Sequence, residues 1–565
     1  MNEKILKNDE EKQIKKPSKF GVFMKKNGFY LGIFFLMLMV VLVISSDNTK
    51  TTKGSIEYNE KAFYTEGNKL YIKERNKEPI LLTANLMEEF SSTKKSPILL
   101  MCKTSEDQEI IYYFENVKVF EKLYIGDLMV YKNNKKRKVG HNVPLSYALS
   151  SDLEKVVFVE GVEDKDKGGF TYSLNRYVNR KKTLIAENVD KDCFTISGDG
   201  NTIFYNKGFY VDTATTTMYM YKDDINTAID NQVVYYYKLN ANGTYKSNWP
   251  LTNYDGSKVI YATYAGENAL PSLKMYTVSD NNSHLLSNSF EQVFVDEKLN
   301  KAVINGEVKG ALQIGNFIKV DLNTMKSEIY AKDIWGLIYM DIAKYVDDSF
   351  FDINFYYKNF NPETTTADLY FKGEGKTEVN VLSSVYVDDV KFTNDNKSMY
   401  ALGYYYKEEG GDLTVFSDIT KTSYKSKQID GQVSEYHFDN ANSVLGYRKN
   451  VKLYVIDANG SKKMIDNHNV ASFNITENGQ LIYFFKESTI GKGELYAMEI
   501  NSKKDYILID KDTTFVYGFE DKYVAYITAF DFGTEAGTLI LSDGMNSSEV
   551  IIEYASTLLN GNYIK

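Results

Sequence analysis

Residues 452–460 have the sequence KLYVIDANG, in which a short strand pattern runs directly into a tight turn. Side chains alternate between the two faces of a strand, so this pattern predicts a strand with one face in solvent. The Asn459-Gly460 pair that follows supplies the positive φ angles of a hairpin turn at little steric cost.

Residues 254–261 (YDGSKVIY) show the complementary pattern, a turn followed by a continuous apolar run. A run of this kind is typical of a strand that is buried on both faces. Similar stretches occur at 151–158 (SDLEKVVF), 198–205 (GDGNTIFY), 394–400 (NDNKSMY) and 477–483 (ENGQLIY).

The strand element repeats along most of the chain, with an average spacing of about 47 residues. Its clear copies are Leu70-Tyr71, Leu123-Tyr124, Met218-Tyr219, Met275-Tyr276, Leu369-Tyr370, Leu453-Tyr454 and Leu495-Tyr496, and weaker copies lie near Leu174, Phe317, Leu413 and Leu539. Such a unit has room for roughly four short strands, which is the size of one β-propeller blade. The repeat therefore predicts an all-β region of stacked blades.

The stretches 255–261 and 453–460 resemble the two halves of the TolB-type (WD40-like) β-propeller repeat. The resemblance extends weakly over residues 60–565, and most other copies lack the Pro-Asp-Gly core of the family pattern. It implies a β-propeller fold but no single function, because the family includes partner-binding periplasmic proteins and the propeller domains of some peptidases. Two architectures stay open: one seven- or eight-bladed propeller, or two smaller propellers split near residues 331–345, where the pattern is also compatible with a helix.

The N-terminal region predicts a membrane anchor. Residues 27–46 carry no charge, and 20 residues of helix span about 30 Å, the thickness of the hydrocarbon core of a bilayer. The segment from Phe29 to Ser46 is longer than the apolar region of a signal peptide and lacks a clear cleavage pattern, which favours a retained transmembrane helix over a cleaved leader.

Charge predicts the orientation of this anchor. Residues 1–28 carry eight lysines and four acidic residues, so the positive-inside rule places them in the cytoplasm. The predicted organisation is a short basic tail (1–28), a transmembrane helix (29–46), a linker (47–59) and an extracytoplasmic β-propeller region (60–565). The rest of the chain is strongly acidic, since the formal charge of the whole is −9, and this argues against a nucleic-acid partner.

Motifs for catalysis or cofactor binding are absent from the sequence. It contains no Gly-x-Ser-x-Gly, no P-loop, no Gly-x-Gly-x-x-Gly opening a helix and no His-Glu-x-x-His, so no catalytic, cofactor or metal residues are assigned. Acidic clusters lie at Asp190/Asp192, Asp223/Asp224, Asp347/Asp348, Asp388/Asp389 and Glu408/Glu409/Asp412. Each is compatible with an acid–base or calcium site, but turn chemistry explains such clusters more simply.

Aromatic runs are the remaining candidates for binding. Tyr235-Tyr236-Tyr237 and Tyr404-Tyr405-Tyr406 would alternate across a strand and could expose tyrosines to a sugar or a protein partner, although filling the space between blades is the simpler role. Trp249 and Trp335 are interpreted as core residues. Cys102 and Cys193 could form one bridge outside the cell or remain buried thiols.

These observations predict a single-pass membrane protein of the bacterial cell envelope that is non-catalytic and binds a protein partner as a scaffold or sensor. Two alternatives remain: a receptor for a cell-wall glycan or small ligand that uses exposed tyrosines, and a propeller glycosidase or lyase. The enzyme alternative requires two or more carboxylates that converge at one mouth of a propeller.

Overall fold

A computed structural model describes residues 40–42, 61–88 and 101–564. Gaps within the last range lie at 106, 121–122, 165–168, 211–214, 235–249, 265–269, 311–312, 340–342, 407–408, 442, 490, 503, 520–521, 533–535, 545–547 and 558–561. The described part is built almost entirely of antiparallel β-strands, with two short 3-10 helices at Asp348–Asp352 and Val387–Asp389.

The strands form eleven consecutive units, in each of which neighbours in sequence are neighbours in the sheet. Unit 1 comprises β2 (Ala62–Glu66), β3 (Lys69–Lys73) and β4 (Ile80–Thr83), and unit 2 comprises β5 (Lys103–Thr104), β6 (Ile110–Phe120), β7 (Leu123–Lys132) and β8 (Lys135–Pro144). Unit 3 comprises β9 (Tyr147–Leu149), β10 (Lys155–Asp164), β11 (Gly169–Val178) and β12 (Lys181–Glu187). Unit 4 comprises β13 (Val189–Ile196), β14 (Ile203–Tyr210), β15 (Thr215–Lys222) and β16 (Ile225–Val234). Unit 5 comprises β17 (Leu251–Thr252), β18 (Lys258–Thr263), β19 (Ser272–Thr277) and β20 (Asn282–Ser287). Unit 6 comprises β21 (Phe290–Val295), β22 (Lys301–Lys309), β23 (Ile314–Asp321) and β24 (Lys326–Ile334). Unit 7 comprises β25 (Gly336–Leu337), β27 (Phe355–Asn361), β28 (Thr366–Lys372) and β29 (Glu378–Tyr386). Unit 8 comprises β30 (Lys391–Phe392), β31 (Met399–Tyr406), β32 (Gly410–Ser417) and β33 (Lys425–Phe438), and unit 9 shares β33 and adds β34 (Leu445–Lys449), β35 (Lys452–Ile456) and β36 (Lys462–Asp466). Unit 10 comprises β37 (Val470–Ile475), β38 (Leu481–Thr489), β39 (Lys492–Glu499) and β40 (Ile507–Phe519). Unit 11 shares β40 and adds β41 (Tyr523–Asp531), β42 (Ala536–Ser542) and β43 (Ser548–Thr557).

Three short strands add to these units. β1 (Val40–Leu42) pairs antiparallel with β43, and β44 (Asn562–Ile564) pairs with β40. β26 (Ala343–Tyr345) pairs parallel with β21, so a segment of unit 7 extends the sheet of unit 6.

Two long strands show how one unit leads into the next. The first half of β33 pairs with β32 of unit 8, and its second half pairs with β34 of unit 9. β40 joins units 10 and 11 in the same way. A fourth strand therefore leaves its own unit and becomes, or lies next to, the first strand of the following one.

A β-bulge at the same place in every unit accounts for this departure. The register between the third and fourth strands (the second and third described strands of unit 1) shifts by one residue next to a buried apolar side chain, and a bulge increases the local twist of a strand pair. The shift falls at Leu70/Tyr71, Leu128/Met129, Leu174/Asn175, Met218/Tyr219, Leu273/Lys274, Phe317/Ile318, Leu369/Tyr370, Leu413/Thr414, Leu453/Tyr454, Leu495/Tyr496 and Leu539/Ile540. The first residue of each pair is at most 2% exposed.

The turn that opens the second strand is also repeated. In unit 4 the Ser197 hydroxyl accepts a hydrogen bond from the Thr202 N–H (3.0 Å) and donates one to the Asp199 carboxylate (2.6 Å). Gly200 in this turn has φ +69°, a conformation that favours glycine. The equivalent side chains that accept the N–H five residues on are Ser105, Ser150, Asn253, Asp296, Thr393, Asp439 and Thr476.

The hydrophobic core lies between consecutive units rather than within one of them. One cluster joins units 3 and 4 (Val157 and Phe194 among its members), and another joins units 9 and 10 (Val455 and Phe484). A single sheet cannot cover both of its faces, so each unit is stable only when it packs against its neighbours.

The predicted all-β, propeller-like fold is thus confirmed, with eleven blade-like units in the described part of the chain. Leu123 and Met275, named from the sequence as strand residues, lie in the third strands of units 2 and 5. The bulges of these two units fall elsewhere in those strands, at Leu128 and Leu273. The described residues of 331–345 (331–339 and 343–345) are strands and bends rather than a helix, and one hydrophobic cluster runs through units 6, 7 and 8. A division into two propellers near this point stays a prediction.

Most of the predicted anchor, 29–46, and all of the basic tail lie outside the described residues. The three described residues of that segment, Val40–Leu42, are extended as β1 and not helical. Within the part of the chain that the structure describes, no helix has both the length and the apolar character to cross a membrane.

Candidate functional site

Each unit has two distinct ends. In an antiparallel four-stranded unit, the connections between strands 1 and 2 and between strands 3 and 4 lie at one end, and the connection between strands 2 and 3 lies at the other. Like connections of neighbouring units lie side by side: the Ser151 N–H donates to the Gly198 carbonyl (2.8 Å) at one end, and the rings of Phe120 and Phe170 contact each other (4.9 Å) at the other. We call the first the turn end and the second the aromatic end.

Exposed aromatic side chains are concentrated at the aromatic end. Of the six aromatic residues that are exposed among the described residues, five lie at the tips of strands 2 there: Phe209, Tyr210, Tyr404, Tyr406 and Phe532. The sixth, Tyr254, lies at the turn end. Large exposed aromatic side chains on a rigid scaffold are typical of surfaces that bind a partner.

Partly buried aromatic rings support this surface from below. Trp335 stacks on Phe360 with ring centroids 3.8 Å apart, and Tyr386 of unit 7 stacks on Tyr405 of unit 8 at 4.5 Å. Phe532 contacts Phe530 at 5.2 Å. Trp335 is therefore partly buried: it packs against the hydrophobic core but is also partly exposed at the surface.

Unit 8 presents its tyrosines in the alternation that the sequence predicts. Tyr404 and Tyr406 are 56% and 68% exposed, while Tyr405 between them is half-buried. Tyr404 has φ +48°, and a register shift between Gly403 and Tyr406 accommodates it. A bulky residue is rare in this conformation, which costs about 1–2 kcal/mol.

Two carboxyl groups border the tyrosines of unit 8. Asp388 and Asp389 lie between β29 and β30, where unit 7 leads into unit 8. Burial raises the pKa of both carboxyls; the neighbouring Asp389 raises that of Asp388 further, while Lys391 opposes the rise at Asp389. The hydroxyl of Tyr357, fully buried nearby, has no hydrogen-bond partner among the described residues. Its burial, followed by these two acids, raises its pKa.

Polar contacts hold Asp389 of this acidic pair in place. Lys391 Nζ lies 3.1 Å from the Asp389 carboxylate, donates to the Tyr436 carbonyl (2.9 Å) and sits 4.4 Å above the Tyr436 ring. The Tyr436 hydroxyl donates to the Asp389 carbonyl. Beside them, the Glu435 carboxylate lies 3.2 Å from His437 Nε2 and 3.0 Å from Arg448 Nε. Asp389 is therefore held in place beside the Tyr436 ring.

A cavity lies at the opposite, turn end. It has a volume of about 430 Å³ and lies between the turns of units 6 and 8 and the 343–354 segment of unit 7. Its polar lining includes Glu297, Asp347, Asn394 and Asn396, and its aromatic lining includes Tyr339, Tyr345, Phe350 and Phe392. The Tyr345 hydroxyl donates to the Thr252 carbonyl (2.6 Å), which ties the segment to unit 5.

The other sequence candidates are not brought together. Asp223 and Asp224 form a tight hairpin turn at positive φ, as turn chemistry predicts, and Asp348 pairs with Lys301 (2.7 Å) away from the cavity that Asp347 lines. Cys102 and Cys193 do not form a disulfide with each other. The described positions of the remaining clusters (Asp190, Glu409 and Asp412) join no common site, and the side chains of Asp192 and Glu408, with Tyr235–Tyr237 and Trp249, lie outside the described residues.

No group of three or more histidine, cysteine, aspartate or glutamate side chains in the described part of the chain is arranged to hold a metal ion. The sequence reasoning missed the convergence of aromatic residues at one end. A signal was present, because Phe209-Tyr210, Tyr404–Tyr406 and Phe530–Phe532 each follow the buried run of a second strand at a similar distance.

Fold and site together define a repeat protein of propeller-like antiparallel units with an aromatic surface at one end and a polar cavity at the other. No protein-family model matches the chain, and no curated protein is similar enough in sequence to be matched. Among solved structures, a eukaryotic initiation factor aligns with 80% of this chain and 97% of its own length, at 9% identity and a TM-score of 0.38. Dipeptidyl peptidase 4 of Porphyromonas gingivalis covers 76% of this chain and 64% of its own, at 12% identity and a TM-score of 0.37. The β-propeller domain of the Trilobed protease from Pyrococcus furiosus covers 64% of this chain and 93% of its own, at 12% identity and a TM-score of 0.25. At these values the similarities assign no function.

Proposed function

We propose that this protein is a non-catalytic, membrane-anchored scaffold or sensor of the bacterial cell envelope, and that its aromatic end binds a protein partner. The concentration of exposed aromatic side chains at that end carries the proposal. The uncharged segment from Phe29 to Ser46 supports the anchor, and the lysines before it support an extracytoplasmic position for the units. The two repeat halves at 255–261 and 453–460 support a TolB-type identity.

The partner surface has the composition expected of an interaction hot spot. Tyrosine supplies a large contact area with only two rotatable side-chain angles, and its hydroxyl keeps the exposed residue soluble. Tyr404 and Tyr406 stand on a strand whose base is fully buried, so little conformational freedom is lost when a partner binds.

Photo-crosslinking in cells tests this surface directly. With a photoreactive amino acid in place of Tyr406, we expect one envelope protein to be captured in near-stoichiometric yield and identified by mass spectrometry. The matched control places the same amino acid at Tyr254, which is 63% exposed but lies at the turn end, and we expect no such product. Equal capture from both positions, or recovery of the bait alone, would contradict the proposal. With the captured protein in hand, Tyr404→Ala together with Tyr406→Ala should weaken binding by about 30-fold, the effect of losing about 2 kcal/mol at a hot spot.

A second candidate function, binding of a cell-wall glycan, is favoured by the cavity at the turn end. Carboxylate and amide groups beside aromatic rings can hydrogen-bond sugar hydroxyls and pack against their apolar faces. The cavity of about 430 Å³ is within the range of small-ligand sites.

Two adjacent aspartates provide a matched test of this second function. Asp347 lines the cavity, whereas Asp348 points to Lys301 outside it. If the cavity binds purified wall polysaccharide, Asp347→Ala should weaken saturable binding about tenfold through loss of a charged acceptor, and Asp348→Ala should leave it within about twofold. Equal effects of the two variants, measured by titration of the purified protein, would exclude this cavity.

A further inference from the structure

A second cavity, of about 200 Å³, lies between units 2 and 3 at the turn end. Its walls are the hairpin between β7 and β8, the hairpin between β11 and β12, and the turn before β10. The volume corresponds to several water molecules, since one water occupies about 30 Å³ in the liquid. The cavity therefore has room for a small polyatomic group.

The lining of this cavity is strongly basic. It contains four cationic side chains, Lys132, Lys135, Arg137 and Arg180, and a single carboxylate, Glu154. Glu154 forms an ion pair with Lys132. Within the described part of the chain, the other three cations have no acidic partner at ion-pair distance. Three uncompensated positive charges thus surround one concavity in a chain whose formal net charge is −9.

The choice of arginine at this place is unusual for this sequence. The chain contains 67 lysine and arginine residues, of which only Arg75, Arg137, Arg176, Arg180 and Arg448 are arginine. Two of these five line the same cavity. A guanidinium presents a planar fork of donors that matches the oxygens of a phosphate, which an ammonium does not.

The backbone at Arg180 supports a role beyond the turn itself. Arg180 has φ +67°, and the equivalent hairpin positions of units 2 and 4 carry Asn134 and Asp224, which tolerate this conformation better. An arginine here costs conformational energy that an asparagine would not. The side chain, not the backbone, therefore accounts for the residue at this position.

We propose that this cavity binds a phosphate group. A phosphate monoester carries about 1.5 to 2 negative charges near neutral pH and offers three acceptor oxygens, which suits three unpaired cations better than the single charge of a carboxylate does. The amide groups of Asn133 and Asn179 on the same rim add neutral donors. The phosphate belongs either to a small phosphomonoester, which this charge argument favours, or to the phosphodiester of a polymer or lipid headgroup, which carries one negative charge.

Equilibrium dialysis of the purified full chain against inorganic phosphate tests the proposal at low ionic strength. We expect saturable binding, with Arg137→Gln and Arg180→Gln each weakening it about tenfold or more through loss of a charge-assisted hydrogen bond. Lys136→Gln is the matched control, because Lys136 lies in the same hairpin but is not part of the lining, and it should change affinity less than about twofold. Circular dichroism of each variant serves as the control for folding.

Further probes distinguish the source of the phosphate. Tighter binding of inorganic phosphate than of dimethyl phosphate supports a small phosphomonoester, and the reverse order supports a phosphodiester of a polymer or lipid. Acetate should bind more weakly than either. The proposal is overturned if the wild type shows no saturable binding at millimolar phosphate, if acetate binds as tightly, or if Lys136→Gln weakens binding as much as the two arginine variants.

Discussion

Leu453→Ala is expected to destabilise the protein by about 3 kcal/mol, within the range of 2–5 kcal/mol measured for buried leucines. Leu453 is fully buried in the cluster that joins units 9 and 10, and it marks the bulge at which β36 turns away from β35. Its truncation removes apolar contacts between two units and leaves a cavity that the flanking strands cannot fill. Urea unfolding of the purified protein, followed by circular dichroism, measures the shift in midpoint.

Met464→Ala is the matched control for this variant. Met464 lies in the same unit, paired across the strands with Tyr454, but it is 48% exposed. We expect a loss below about 1 kcal/mol, as for most surface substitutions. Equal losses for the two variants would show that the repeated buried leucine is not what holds neighbouring units together.

Asp466→Asn is expected to cost about 3 kcal/mol at neutral pH, because it leaves a largely buried lysine without its counter-charge. The Asp466 carboxylate is only 3% exposed and accepts hydrogen bonds from Lys486 Nζ (2.6 Å) and from the His468 N–H (2.7 Å). Although burial opposes its charge, these donors and Tyr506 hold the pKa of Asp466 below its ordinary value.

The sign of the resulting pH dependence follows from this direction. A carboxyl whose pKa is lowered in the folded state stabilises the protein above its unfolded pKa of about 4, and this contribution is lost as the pH falls further. The difference in unfolding free energy between wild type and Asp466→Asn should therefore shrink below about pH 4. Asp418→Asn, which removes an exposed ion pair with Lys425 (2.6 Å), should have a much smaller effect, because solvent screens this pair. A constant difference from pH 7 to pH 3 would contradict the role assigned to Asp466.

The candidate surfaces were only partly predictable. The alternation of Tyr404 and Tyr406 was visible in the sequence, because side chains of one strand alternate by geometry alone. The similar distance of Phe209, Tyr404 and Phe532 from the buried run of their strands was visible too, but their convergence at one common end depends on every unit having the same orientation. The basic cavity was equally hidden: Arg137 and Arg180 are 43 residues apart and meet only because units 2 and 3 pack side by side.

The local structure of this protein follows from short-range preferences in its sequence. Turns such as that at Gly256, the buried second strands and the spacing of the leucines follow from backbone φ preferences and strand periodicity, which act over a few residues. The bulge positions in units 2 and 5, and the set of side chains that line each cavity, follow only from tertiary packing. These features depend on how one sheet covers the face of the next, and that packing joins residues about one repeat apart, for which no local pattern in the sequence exists.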